Sequence, residues 1–143
     1  MSVARLVLAV VLGLVVGSIV NMALIMAGGH VIPPPPGADM TTADGIRAAL
    51  PQLRPQHFLF PFLAHAAGTL VGAFIAARLA PRYKRVGALS VGLLFFGGGI
   101  LAARMIPAPT WFIAVDLIGA YFPFAWLGYL LARPRGQTPA RLA

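Results

Sequence analysis

The chain has 143 residues, of which 59% are hydrophobic and 10% are charged, and its mean hydropathy is +0.87. This composition excludes a disordered protein and an ordinary soluble domain, because both carry more polar side chains. The chain contains no cysteine, which excludes disulfides, a thiol nucleophile and a zinc–thiolate site. The net charge is +8, and the basic residues lie at the borders of the apolar segments. Because the sequence shows no soluble recognition fold, nucleic acid is not an expected partner.

Four long apolar segments organise the sequence, and each approaches or exceeds the roughly 20 residues that an α-helix needs to cross a bilayer. We expect spans at about 6–28, 58–77, 86–105 and 111–132, within one membrane domain that covers residues 1–143. The sequence therefore predicts an all-α polytopic membrane protein, a bundle of four transmembrane helices. The first segment is longer than the roughly 7–15 residues of a signal-peptide core, so it is expected to be an uncleaved span.

Short signals mark the end of the first span and the loop that follows it. Gly28, followed by a second glycine, is expected to terminate the first helix. Within the loop 29–57, Pro33–Pro36 should adopt an extended conformation. Thr41 and Asp44 are spaced as a capping box, which predicts a short surface helix in this loop.

Small residues at intervals of four predict the faces on which the helices pack. Such ridges let two backbones approach closely, which matters because lipid supplies no hydrophobic drive between helices. A proline well inside the fourth span has no N–H to donate, so a kink is expected there. The residues expected at helix contacts are Gly13, Gly17, Gly68, Gly72, Gly119 and Pro123. Because four short helices enclose little interior, a homo-oligomer is also expected.

The basic residues are unequally divided between the two faces of the predicted bundle. If all four segments span, the N-terminus, the turn 78–85 and the tail 133–143 share one face, with eight basic residues and no acidic ones. The other face carries three basic and two acidic residues. The positive-inside rule then places both termini in the cytoplasm and the loop 29–57 outside. The basic residues of the turn, expected to contact anionic lipid headgroups, are Arg78, Arg82, Lys84 and Arg85.

One polar cluster is expected in the outer half of the bundle. Asn21, His65 and Asp116 lie five to seven residues inward from the outer ends of their spans, about 8–11 Å deep at about 1.5 Å per residue. Thr69 lies one turn further along the same face as His65. Arg104 is nearer the outer boundary, but its long side chain can reach inward. Asp116 is the only acid in any span, and an ionised carboxylate in lipid needs a partner, for which Arg104 is the first candidate and His65 the second.

The cluster permits two interpretations. It is either a satisfied polar contact that fixes helix register, or a proton relay or binding site open to the outside. His30 and His57 bracket the outer loop as further candidate metal ligands, but their spacing matches no standard metal signature, and no metal or cofactor is expected. The sequence carries no nucleophile motif, phosphate-binding loop or dinucleotide fingerprint.

Three stretches resemble a family of small four-helix bacterial membrane proteins that have no assigned activity. The first joins NMALI at 21–25 to PPPPGAD at 33–39, the second is HFLFPFLAH at 57–65, and the third is PAPTWFIAVD at 107–116. The resemblance covers most of the chain. It implies a location in the bacterial inner membrane and supplies no activity.

The leading functional hypothesis is a small non-enzymatic membrane protein that handles a small solute, an ion or a proton through the polar cluster. The alternative is a structural or accessory membrane subunit without transport, and an intramembrane enzyme built on His65 and Asp116 comes third. Water-accessible volume around Asp116 would favour the first hypothesis. A dry and fully paired cluster would favour the second, and a deep pocket opening to lipid beside His65 would favour the third.

Overall fold

The structure is a computed structural model that describes residues 2–133, and all regular structure in these residues is helical. The helices are α1 (Val3–Val31), α2 (Ala43–Ala49), α3 (Leu59–Leu79), α4 (Lys84–Met105), α5 (Thr110–Gly119) and α6 (Phe122–Leu131), with short 3₁₀ turns at Leu50–Gln52 and Pro55–Phe58. Four stretches of the described chain are long and apolar enough to cross a membrane: α1, α3 with the turn before it, α4, and α5 with α6. The predicted all-α class and the four apolar helical segments are confirmed. Apart from Arg133, the predicted tail 133–143 lies outside the described residues.

Successive long helices run in opposite directions, which gives the bundle two distinct ends. The loop end carries residues 32–58 and the connection 106–109, and the turn end carries residues 80–83. The faces that point away from the bundle are apolar, and the exposed side chains on α1 include Val7, Val11, Val15 and Ile19. An apolar exterior of this kind suits a helix bundle surrounded by lipid.

The first helix is longer than predicted and passes through the glycine pair that was expected to end it. Gly28 is buried, and the first helix ends three residues later at Val31. A side chain at Gly28 would collide with the Cβ and ring of Phe60 on α3. The glycine therefore serves close helix contact, and the prediction that it terminates the helix was wrong.

The loop helix begins one residue later than its predicted capping box. Thr42 is the N-cap of α2, and its hydroxyl accepts a hydrogen bond from the N–H of Gly45 at 3.0 Å. Thr41 instead donates its N–H and its hydroxyl to Asp39, at 2.8 and 2.6 Å, and Thr42 also donates to this carboxylate at 2.7 Å. These hydrogen bonds to the charged form lower the pKa of the Asp39 carboxyl from 3.8 to about 2.

The fourth predicted span is interrupted rather than simply kinked. Helix α5 ends at Gly119, α6 begins at Phe122, and Pro123 lies in the first turn of α6. Proline lacks the N–H that would donate to the carbonyl of Gly119, so the helical hydrogen bonds cannot run continuously through this point. The break leaves Tyr121 buried, with 1% of its surface exposed.

The contact between α1 and α3 depends on two pairs of glycines. A Cβ atom at Gly13 would lie 2.5 Å from the carbonyl oxygen of Gly72, and one at Gly17 would lie 2.5 Å from that of Gly68. Because real Cβ atoms do not approach this closely, larger residues would force the two helices apart. Glycine at these positions lets the backbones touch, as in other small-residue helix contacts in membranes.

The rest of the interior is also built from small side chains. Most of its buried apolar residues are alanines, and Ala73, Ala76 and Ala125 are fully buried. Gly119, the remaining glycine of the predicted contacts, faces the ring of Phe62. Among the largest fully buried side chains of the described residues, Tyr121 ranks first. Tyr121 is a large side chain with a polar hydroxyl in an interior built mainly from alanine, so its surroundings differ from the rest of the interior.

Candidate functional site

A cavity of about 280 Å³ lies at the loop end of the bundle. This volume is close to the lower end of the range for small-molecule sites, about 300–1,000 Å³. The polar side chains in its wall are His57, His65 and Asp116. The other lining residues are apolar and include Ile25, Met40, Ile46, Leu53, Phe58, Phe112, Ile113 and Leu117. The cavity is therefore mainly apolar, with polar groups at these three residues.

A histidine from α3 and an aspartate from α5 meet in the wall of this cavity. His65 Nδ1 lies 2.8 Å from Oδ1 and 2.9 Å from Oδ2 of Asp116. Asp116 is 5% exposed, whereas 24% of the His65 side chain is exposed. An ionised carboxylate only accepts hydrogen bonds, so Nδ1 carries the proton of this contact. The aspartate thus lies behind the histidine and fixes the orientation of its ring.

Tyr121 completes the hydrogen bonding of the carboxylate. Its hydroxyl donates to Oδ2 of Asp116 at 3.0 Å, and its ring stacks on that of His65 with the centroids 5.7 Å apart. Gly99 on α4 makes the necessary space, because a Cβ there would overlap the Tyr121 hydroxyl and ring. Tyr121 was not among the residues predicted from the sequence. Its signals were the proline two residues later, which breaks the helix, and the run of three glycines on the neighbouring span.

The second ring nitrogen of His65, Nε2, is the atom of this pair that is available to a ligand. His65 Nε2 makes no hydrogen bond to any described residue. The buried side-chain atoms without a partner in the described chain are Asn21 Oδ1 and Thr69 Oγ1, so His65 Nε2 is unpaired but accessible. With the proton of the contact on Nδ1, Nε2 is the atom that accepts a hydrogen bond or takes up a proton.

The predicted ion pair between Arg104 and Asp116 is wrong. In the described residues the carboxylate of Asp116 contacts His65, Arg47 pairs with Asp44, and Arg104 is exposed. The reason is rotational. Arg104 lies five residues after Gly99, which is about 140° around a helix of 3.6 residues per turn, so it points away from the face that contacts the cluster. The pair was predicted because Asp116 is the only acid in any span and the long side chain of Arg104 could reach its depth, but the side chain of Arg104 points in another direction.

The other predicted members of the cluster lie outside the cavity wall. Asn21 packs beside Gly68 at the contact of α1 with α3, where a Cβ added to the glycine would lie 3.0 Å from Asn21 Cβ. Thr69 is fully buried one turn beyond His65. The structure therefore brings His65 and Asp116 together at the cavity and leaves Asn21, Thr69 and Arg104 elsewhere.

The remaining histidines do not gather into a metal site. His57 lines the cavity, and its Nδ1 accepts the N–H of Arg54 at 2.9 Å, which occupies one of its two ring nitrogens. His30 is exposed at the end of α1. In the part of the chain that the structure describes, no three histidine, cysteine or acidic residues are placed to hold a metal ion together.

Comparison of the chain with protein-family models, with curated proteins and with solved structures finds no match.

Proposed function

We propose that this protein is a small membrane protein that binds a small, mainly apolar solute in the loop-end cavity and exchanges a hydrogen bond or a proton with it through His65. The observation that carries the proposal is the His65–Asp116 pair in the wall of an otherwise apolar cavity, with Nδ1 bonded to the carboxylate at 2.8 Å and Nε2 unpaired. The cavity provides accessible volume beside Asp116, which is the feature that the hypothesis of solute or proton handling requires.

The chemistry of the wall defines the class of solute. Apolar side chains provide no replacement for the hydration shell of a bare ion, so a free metal ion or inorganic anion would lose more than it gains. A molecule with a hydrocarbon body and one hydroxyl, phenol or similar donor gains from the apolar wall and from Nε2.

The proposal places the protein in the bacterial inner membrane with the loop end outside. Four stretches of sufficient length and hydropathy support insertion. In the sequence, the segment before the first span, the turn 78–85 and the tail 133–143 carry eight basic residues and no acid, which supports cytoplasmic termini. Exposed Trp111 near the loop end and exposed Tyr83 at the turn end suit the two interfaces of a bilayer. The solute would then enter from the outside.

A matched pair of probes tests the proposed site. We suggest calorimetric titration of the protein in phosphatidylcholine nanodiscs with 4-butylphenol and with its methyl ether, corrected with empty nanodiscs. Both probes have the same apolar body, but only the phenol can donate to Nε2. A net hydrogen bond of about 0.5–1.5 kcal/mol corresponds to a preference of about 2–12-fold for the phenol.

Two variants show where the preference arises. His65→Phe combined with Asp116→Leu removes both polar partners at once, which leaves neither group unpaired and keeps the wall apolar. This variant should bind both probes equally. His57→Gln changes the other histidine of the wall and should retain the preference. Equal binding of the two probes by the unmodified protein, or a preference that survives the double replacement, would contradict the proposal.

The proposal includes a homo-oligomer, because the glycine ridges of α1 and α3 are used within the chain while other small residues face outward. Gly97 and Gly98 on α4 are exposed, and an added Cβ at either position would meet no atom within 4 Å. Small exposed residues allow the close approach of a second helix. Native mass spectrometry of Gly97→Leu should show fewer subunits than the unmodified protein. A monomer in both cases would contradict the oligomer.

A further inference from the structure

The turn end holds a second cavity, of about 500 Å³, that is lined by positive charge. Its basic side chains are Arg82, Lys84, Arg85 and Arg133. The first three belong to the turn and the start of α4, and the fourth follows α6. From the sequence, the predicted headgroup site comprised Arg78 and the other basic residues of the turn, and Arg133 was one of several further basic residues that border the spans. The structure gathers charges from two distant parts of the chain around one space.

Several contacts hold these basic side chains in place. Lys84 Nζ donates to the carbonyl oxygen of Ala132 at 3.1 Å, which ties the start of α4 to the end of α6. The guanidinium of Arg85 lies 5.2 Å from the ring centroid of Trp126. Such cation–π contacts restrict the rotamers of a long side chain without using its N–H groups in salt bridges. The guanidinium groups therefore keep donors free for a ligand.

No acidic side chain of this protein neutralises the cavity. The whole sequence has three acidic residues, and they are Asp39 and Asp44 in the loop and Asp116 at the loop-end cavity. The first turn of α4 contains no acid, and its N-cap residue Tyr83 makes no side-chain hydrogen bond to the helix. Four gathered cations repel each other, and a bound anion would offset this repulsion.

We propose that the turn-end cavity binds the phosphate headgroup of a membrane lipid with two negative charges, which is either a phosphomonoester or a pair of linked phosphodiesters. Arginine donors suit phosphate oxygens, and basic pockets between membrane helices bind such headgroups. A single phosphodiester would leave most of the positive charge unmatched. Exposed apolar residues next to the cavity, Val86, Trp126 and Leu130, offer a surface for the acyl chains. This proposal does not depend on the function of the loop-end cavity.

Arg78 provides a matched control that distinguishes a specific binding site from diffuse electrostatic attraction. It belongs to the same basic turn, but it does not line the cavity, and its guanidinium lies over Phe74 on α3 at 5.9 Å. Diffuse attraction between a basic surface and an anionic membrane would involve Arg78 as much as Arg85. A cavity that holds one headgroup would depend on Arg85 and Arg133 and be indifferent to Arg78.

The experiment measures lipid retention by native mass spectrometry after incubation in phosphatidylcholine nanodiscs that contain cardiolipin, phosphatidic acid or phosphatidylglycerol. The unmodified protein should retain cardiolipin or phosphatidic acid more strongly than the singly charged phosphatidylglycerol. Arg85→Gln and Arg133→Gln should each weaken this retention about tenfold, as the loss of a charged hydrogen bond implies. Arg78→Gln should retain the lipid as the unmodified protein does. Because nanodiscs expose both leaflets, the result does not depend on the orientation of the protein.

Three outcomes would overturn the proposal. An equal loss of retention in Arg78→Gln and Arg85→Gln would indicate diffuse attraction rather than a site. Retention of phosphatidylglycerol as strong as that of cardiolipin and phosphatidic acid would remove the charge argument. Displacement of the bound lipid by inorganic phosphate, added in equal concentration to the lipid, would show that the cavity recognises soluble phosphate and that the acyl chains contribute nothing.

Discussion

Replacing Gly99 by alanine tests whether the position of Tyr121 depends on the absence of a side chain on α4. A Cβ at Gly99 would overlap the hydroxyl and ring of Tyr121, which is fully buried and cannot move into open space. Overpacking of this kind costs about 1–3 kcal/mol. Displacing the ring also weakens its hydrogen bond to Asp116, which is worth about 1.5–3 kcal/mol for a charged acceptor. The higher helix propensity of alanine returns at most about 1 kcal/mol.

The expected net effect is a loss of about 1.5 kcal/mol or more in the free energy of unfolding. A glycine of α1 supplies the control, because a Cβ at Gly29 meets no atom within 4 Å. Gly29→Ala should leave stability unchanged or raise it by up to about 1 kcal/mol. Reversible unfolding in mixed detergent micelles, followed by circular dichroism, measures both variants. If Gly99→Ala is as stable as Gly29→Ala, Tyr121 is not held as described and the hydrogen-bonded cluster is misplaced.

Three further predictions concern helix contact, the buried acid and the loop. Gly72→Leu should lower the unfolding temperature, because a Cβ at this position would lie 2.6 Å from a carbonyl oxygen of α1. Gly29→Leu should not lower it, because a Cβ there meets nothing within 4 Å. Equal unfolding temperatures of the two variants would refute the contact. In the same assay Asp116→Asn should destabilise the protein more than Asp39→Asn, because only Asp116 is buried and hydrogen-bonded to a histidine and a tyrosine. The reverse order of stability would contradict the hydrogen-bonded cluster. Since the folded-state pKa of Asp39 is lowered, its contribution to loop stability is present above about pH 4 and is lost as the pH falls through about 2. Thr41→Val removes the largest cause and should raise that pKa toward 3.8, as measured by the carboxyl ¹³C shift, and an unchanged value would refute the assigned cause.

The features that the sequence predicted well are those that depend on one helix at a time. In a bilayer every backbone polar group must be satisfied within the helix, so length and hydropathy define the four segments directly. Residues four apart share one face of a helix, so the positions of Gly13, Gly17, Gly68 and Gly72 indicated a possible close contact before the partner helix was known.

The features that the sequence did not predict depend on how two helices are rotated relative to each other. Counting residues placed Arg104 close enough to the depth of Asp116 for its long side chain to reach it, but depth is one coordinate and the direction of each side chain is another. The break after Gly119 also resets the helical phase, so the inward position of Tyr121 could not be counted from the start of the span. Gly28 was misread for a related reason, since a glycine that ends a helix and one that admits Phe60 look the same in a sequence.

The most direct test asks whether Asp116 keeps the proton of the contact on Nδ1 of His65 and leaves Nε2 unpaired. Nitrogen-15 NMR of histidine-labelled protein in nanodiscs, with His65 assigned by comparison with His65→Gln, observes both ring nitrogens directly. We expect Nδ1 to carry the proton and 4-butylphenol to shift the Nε2 resonance. A neutral His65 ring with its proton on Nε2 and a bare Nδ1 would contradict it.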